Sequence, residues 1–98
     1  MEIIKDKSLK LIQFYATWCA PCRALAPIVD SVSVKIQDRI EVERIDIETD
    51  SDLVTEHQVH AVPTMVLLKN NVPVWKHMGT IPESDLLMVL ESHSKEEK

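Results

Sequence analysis

The stretch ATWCAPCRALAP, residues 16–27, holds both cysteines of the chain, Cys19 and Cys22, with two residues between them. Before it, residues 9–16 (LKLIQFYA) form an apolar run too short for a helix of this kind, which reads as a central strand covered on both faces. After it, Leu25, Ile28, Val29, Val32 and Ile36 recur at helical spacing and predict a helix over residues 21–38. Pro21 falls in the first turn, where a missing N–H costs little, whereas Pro27 lies inside the pattern and should kink it. The cysteine pair therefore belongs to a strand-to-helix junction.

Beyond this junction, residues 40–47 (IEVERIDI) alternate apolar with charged side chains and read as a strand with one face better covered than the other. The polar cluster at residues 49–52 can cap a short helix over residues 53–58. Residues 64–69 (TMVLLK) predict a second buried strand. Asn70 and Asn71 predict a tight turn, because asparagine tolerates positive φ, and residues 72–78 return antiparallel. Pro73 places that last strand at a sheet edge. Residues 82–93 carry Leu86, Leu87, Val89 and Leu90 as the stripe of a final helix, and residues 94–98 (SKEEK) form a polar tail. The order predicts an α/β fold: a right-handed βαβ unit, then a hairpin and helix, giving a four-stranded mixed sheet with helices on both faces.

Ninety-eight residues make a single domain, 1–98, that buries about 65% of its unfolded surface. With one glycine, Gly79, the turns fall to Asn, Asp, Ser and Pro. Sixteen acidic against 11 basic residues give a net charge of −5, which offers no positive field to a phosphate backbone and argues against nucleic acid as a partner. No run approaches the length of a membrane span, and residues 1–10 lack the apolar core of a signal peptide, so the sequence predicts a cytoplasmic protein.

At a helix N-terminus, unpaired N–H groups and the helix dipole favour a thiolate. Cys19 is accordingly expected to be the exposed nucleophile, with Cys22 one turn further in and close enough to form a disulfide with it. Pro21 stiffens the intervening turn. Two other readings compete. The cysteines could be inert core residues, or they could join His57 and His60 in a Cys₂His₂ zinc site. Trp18 and Pro21 have no role in such a metal site, and the core needs no metal to hold it. No metal or bound cofactor is expected.

WCAPC at residues 18–22, joined to VPT at residues 62–64 and the hairpin and glycine that follow, resembles the thioredoxin family. The likeness runs from about residue 11 to residue 93. It implies the thioredoxin-like three-layer fold and a cis peptide bond before Pro63, facing the Cys19–Cys22 pair. It also implies a shallow docking surface made by Trp18, Ala20, Pro21, Val62, Pro63, Gly79 and Thr80, on which a client disulfide could pair like an added strand. Met65, Met78 and Met88 read as core filling, and Trp75 as packing.

The sequence departs from this family in three places. Few residues precede the first strand, so the strand at residues 40–47 becomes an edge unless residues 1–4 pair with it. Glu41, Glu43 and Arg44 blunt that edge, which predicts a monomer with at most weak pairing of a second copy. Gln13 stands where members typically bury an aspartate beneath the second cysteine, and glutamine cannot accept a proton at neutral pH. Arg44 stands where a lysine often pairs with that aspartate. Losing a negative charge and keeping a positive one both favour thiolate over thiol, which predicts a couple less reducing than an ordinary thioredoxin. Ala20, where glycine is usual, has no argued effect.

The resemblance implies a thiol–disulfide oxidoreductase that reduces protein disulfides, with Cys19 attacking and Cys22 resolving. Its partners would be disulfide-containing client proteins and an electron donor, either a thioredoxin reductase or a small thiol. Two alternatives remain at this stage: a disulfide oxidase or isomerase of an oxidising compartment, and a non-catalytic client-binding module.

Overall fold

A computed structural model describes residues 9–36 and 39–94. The elements are β1 (Leu9–Tyr15), α1 (Ala20–Ile36), β2 (Ile40–Asp46), α2 (Ser51–Glu56), β3 (Thr64–Lys69), β4 (Val72–Met78) and α3 (Glu83–Ser94). They form a four-stranded mixed sheet in the order β2-β1-β3-β4. β1 runs parallel to β2, and β3 runs antiparallel to both β1 and β4. The α/β architecture is the one the sequence predicts.

The central strands β1 and β3 send alternate side chains to opposite faces, as the two-residue strand period requires. Leu9, Leu11, Met65 and Leu67 meet Leu25, Val29, Val32 and Ile36 of α1 and Leu86 and Leu90 of α3. Ile12, Phe14 and Val66 point the other way and pack with Ile45 and Val59, with Leu53 and Val54 of α2 against them. Helices therefore cover both faces. α1 continues through Pro27 as one helix. The helix end expected at residue 38 lies outside the described residues, as do the pairing of residues 1–4 and the tail beyond residue 94.

β4 is an edge, as Pro73 requires, and the ladder slips between Leu67 and Leu68, opposite that proline. Asn70 and Asn71 both take positive φ, 53° and 69°, in the predicted turn. Gln58, at φ 54°, was not expected. It ends α2 in a Schellman arrangement, in which the Gln58 N–H donates to the Thr55 carbonyl and the Val59 N–H to the Val54 carbonyl. The Lys76 ammonium, 2.9 and 2.8 Å from the His57 and Gln58 carbonyls, satisfies the same helix end. α2 spans residues 51–56 instead of the predicted 53–58, because Asp50 caps it by accepting from the Leu53 N–H. Two of the three methionines expected in the core are on the surface. Met65 is fully buried, but Met78 lies on the open edge strand and Met88 on the outer face of α3, both more than 60% exposed.

Candidate active site

Cys19 immediately precedes α1 and acts as its N-cap. Its carbonyl accepts the first intrahelical bond, from the Arg23 N–H at 3.3 Å, and its Sγ accepts from the Cys22 N–H at 3.2 Å. Sulfur thus takes the place that a serine or aspartate oxygen usually fills. The first turn of α1 contains no acidic side chain, so the positive helix end is left for the cysteine sulfur. Pro21, second residue of the helix, gives up only an N–H that would have had no intrahelical partner. Cys19 and Cys22 form a disulfide with Cα atoms 5.3 Å apart.

One expectation is corrected. Cys19 was expected to be exposed, yet in the disulfide it is 4% exposed, and Cys22 is 3% exposed. The two sulfurs and Ala16 form a small cluster under Tyr15, Ile47 and Val62. What separates the two cysteines is their place at the helix end, since Cys19 alone occupies the cap.

The Val62–Pro63 bond is cis. Val62 packs against the cysteine cluster, and the Pro63 carbonyl accepts from the Gly79 N–H at 2.8 Å. Gly79 takes φ 95°, a conformation that side-chain-bearing residues rarely adopt. The next carbonyl in this loop, that of Thr80, is held by the His77 ring at 3.0 Å. Trp18, Ala20, Pro21 and Thr80 are exposed around the pair, with Trp18 at 64%. Short contacts therefore run from the cysteines through Val62 and Pro63 to Gly79.

Sequence reasoning missed two contributors. Glu48 accepts from the Trp18 indole N–H at 3.0 Å and so orients the largest exposed ring of the site. It lies 30 residues away in an acidic stretch, and nothing local marks it. Met78 pairs with Thr64 across the β3–β4 ladder and places an exposed apolar side chain directly before Gly79. His57 lies 5.9 Å from the Phe14 ring and His60 is exposed. Among the described residues, no three His, Cys, Asp or Glu side chains gather as a metal site. No described helix is long and apolar enough to cross a membrane.

The thioredoxin family model matches residues 1–92 of the chain. The chain belongs to the thioredoxin family. It is 38% identical over 88 residues to a protein of Oryza sativa subsp. japonica named thioredoxin Y, chloroplastic, a match covering 90% of this chain and 52% of that one. The chain thus spans about half the length of that relative. It is 27% identical over 88 residues to a thioredoxin of Staphylococcus aureus, covering 90% of this chain and 85% of that one. Among solved structures, a mutant thioredoxin from Halobacterium salinarum superimposes with a TM-score of 0.84 at 31% identity, covering 93% of this chain and 79% of that one. A thioredoxin-family chain with adjacent cysteines at a helix end has the equipment of a thiol–disulfide oxidoreductase.

Proposed function

We propose that this thioredoxin-family protein reduces disulfides of client proteins. The observation that carries the reading is the cap geometry of Cys19, whose sulfur receives the Cys22 N–H at the uncompensated positive end of α1. In the reduced protein, the Cys19 thiolate attacks one sulfur of a client disulfide. A Cys19–client bond forms, the client S–S bond breaks, and the other client sulfur leaves as a thiolate that takes up a proton. Cys22 then loses its proton and attacks the Cys19 Sγ. The mixed disulfide breaks, the second client thiolate leaves, and the Cys19–Cys22 disulfide remains, so two electrons have moved to the client.

The client would rest on Trp18, Ala20, Pro21, Val62, Pro63, Gly79 and Thr80, with Met78 extending the apolar rim. A thioredoxin reductase or a small thiol would return the electrons, with no bound cofactor. The proposed working form is a monomer in a reducing compartment, with the cytoplasm as the simplest choice. One relative is named as chloroplastic, so family membership alone leaves the compartment open.

The test is the redox equilibrium of the pair against a thiol buffer, followed by Trp18 fluorescence. A reversible two-electron transition with catalysed reduction of a disulfide-bonded substrate is expected. No transition would remove the redox reading and leave a client-binding module. Gln13 favours one second reading, an oxidase or isomerase, because it lacks the negative charge that would oppose a thiolate nearby. A markedly oxidising potential would decide for it.

A further inference from the structure

Two polar side chains sit fully buried among the described residues, Thr64 and Gln13. Thr64 is satisfied locally by the Ala61 carbonyl. Gln13 belongs to no turn or cap; it interrupts the apolar face of β1 beside a cavity of about 300 Å³ that Cys22 also lines. Arg23, Ala26 and Arg44 form other walls of that cavity. Thr17, Arg23 and Arg44 are exposed, so it opens at the surface. Its charged walls are two guanidinium groups, and no carboxylate among the described residues lines it.

Arg44 decides how Gln13 presents itself. Its Nε–H donates to the Gln13 Oε1 at 2.9 Å, and a guanidinium has no acceptor to offer the other end of an amide. Arg44 is itself fixed by the Asp30 carboxylate at 2.8 Å and by the Ala26 carbonyl at 3.4 Å. With its oxygen taken, what Gln13 has left for the cavity is N–H. The carboxylates nearby are each engaged by another group. From α1, Arg23 is cationic and Asp30 is engaged by Arg44. At the end of β2 and just after it, Asp46 Oδ1 accepts from the Glu48 N–H and the Glu48 carboxylate is held by Trp18. Tyr15 is the titratable group that β1 brings to the cavity.

We propose that Arg44 is a positioning residue: it turns the Gln13 amide so that N–H groups face the Cys22 side of the cavity, and Cys22 gives its proton to solvent entering there. This rests on the disulfide-exchange reading and specifies its second step. A water, hydroxide or buffer base takes the Cys22 proton, the thiolate attacks the Cys19 Sγ, the Cys19–client bond breaks, and the client sulfur leaves with the electron pair. Donors and guanidinium groups hold the thiolate, and no carboxylate of the described residues enters the step.

The deciding experiment titrates the thiolate absorbance of Cys22 in a Cys19→Ser background, with Arg44→Gln and Gln13→Leu alone and combined. Circular dichroism first checks that each variant folds. Arg44→Gln should lower the thiolate fraction about tenfold at a fixed pH below the midpoint, and Arg44→Lys should restore most of it. In the Gln13→Leu background the Arg44 effect should shrink several-fold, since the two act through one contact. An equal Arg44 effect with and without Gln13 would show charge acting alone and overturn the proposal, as would no effect at all. Resolution of the mixed disulfide in the otherwise unaltered protein should speed up with pH or with buffer-base concentration; a rate flat in both would equally overturn it. The Cys22 titration needs no client turnover, so it separates failure of this proposal from failure of the reductase reading.

Discussion

Replacing Gln13 by aspartate is the sharpest single-residue test of how this site is poised. A carboxylate at that position would put a negative charge at the cavity shared with Cys22 and would oppose the thiolate. Gln13→Asp should therefore make the couple more reducing, each tenfold change in the exchange equilibrium lowering the potential by about 30 mV. A potential that stays put or rises, measured against a thiol buffer, would remove the electrostatic account. Glu48 gives a second test. Its bond to Trp18 is exposed, so Glu48→Ala should change global stability by no more than about 0.5 kcal/mol. If Trp18 docks the client as proposed, Glu48→Ala should still lower kcat/KM for a protein disulfide several-fold, because that ring is no longer held; unchanged kcat/KM would show the bond to be idle. The cysteines, Trp18 and Pro63 were legible from two short motifs. Glu48 was not, because an acid that meets an indole 30 residues away leaves no local signature. The burial of Cys19 was hidden too, since it arises in a cluster with Ala16 and Cys22 against which Tyr15, Ile47 and Val62 pack.

At the scale of elements, the ends of helices carry the testable chemistry. Asp50 caps α2 through the Leu53 N–H at 3.2 Å, so Asp50→Ala should cost about 1 kcal/mol in denaturant unfolding. At the other end of the chain, Glu83 opens α3 and ties it to α1, accepting from the Lys35 ammonium at 2.6 Å and the Ser31 hydroxyl at 2.7 Å. Lys35 first, and Ser31 second, hold the Glu83 carboxyl below its ordinary value of 4.5. A lowered folded pKa contributes stability that is fully present above the unfolded value and is lost as pH falls through the folded one. Glu83→Gln should thus lower Tm at neutral pH, with the gap from the parent protein closing as pH drops below about 4. A gap that persists into acid would assign the loss to packing instead. Element positions were readable because β1 and β3 are short apolar runs bounded by strong breaks, such as Asn70–Asn71. Which side chains the edges leave bare was not. Periodicity marks Met78 and Met88 as apolar, but the sheet order sets Met78 on an edge strand and the packing of α3 leaves Met88 on its outer face, both exposed among the described residues.

For the whole molecule, β1 and β3 make the two cores one object. Leu9 and Leu11 serve one face and Ile12 and Phe14 the other, and β3 repeats this with Met65 and Leu67 against Val66. A cavity on either side must therefore disturb strands that both cores use, and the expected outcome is one cooperative transition. Leu67→Ala opens space beneath α1 and α3, and Phe14→Ala opens it on the α2 side. Each should cost about 2–5 kcal/mol, a large part of the 5–15 kcal/mol typical of a domain. The decisive observable is coincidence of transitions. In a Trp18→Phe background, Trp75 reports the first core, against which it packs, while far-ultraviolet circular dichroism reports all elements. Both signals should move together to lower denaturant in both variants with unchanged m values. If Phe14→Ala shifted the circular dichroism transition and left that of Trp75 in place, the faces would unfold separately. The cysteine pair would then stand at the margin of one subdomain instead of at the end of a sheet that the whole fold stabilises.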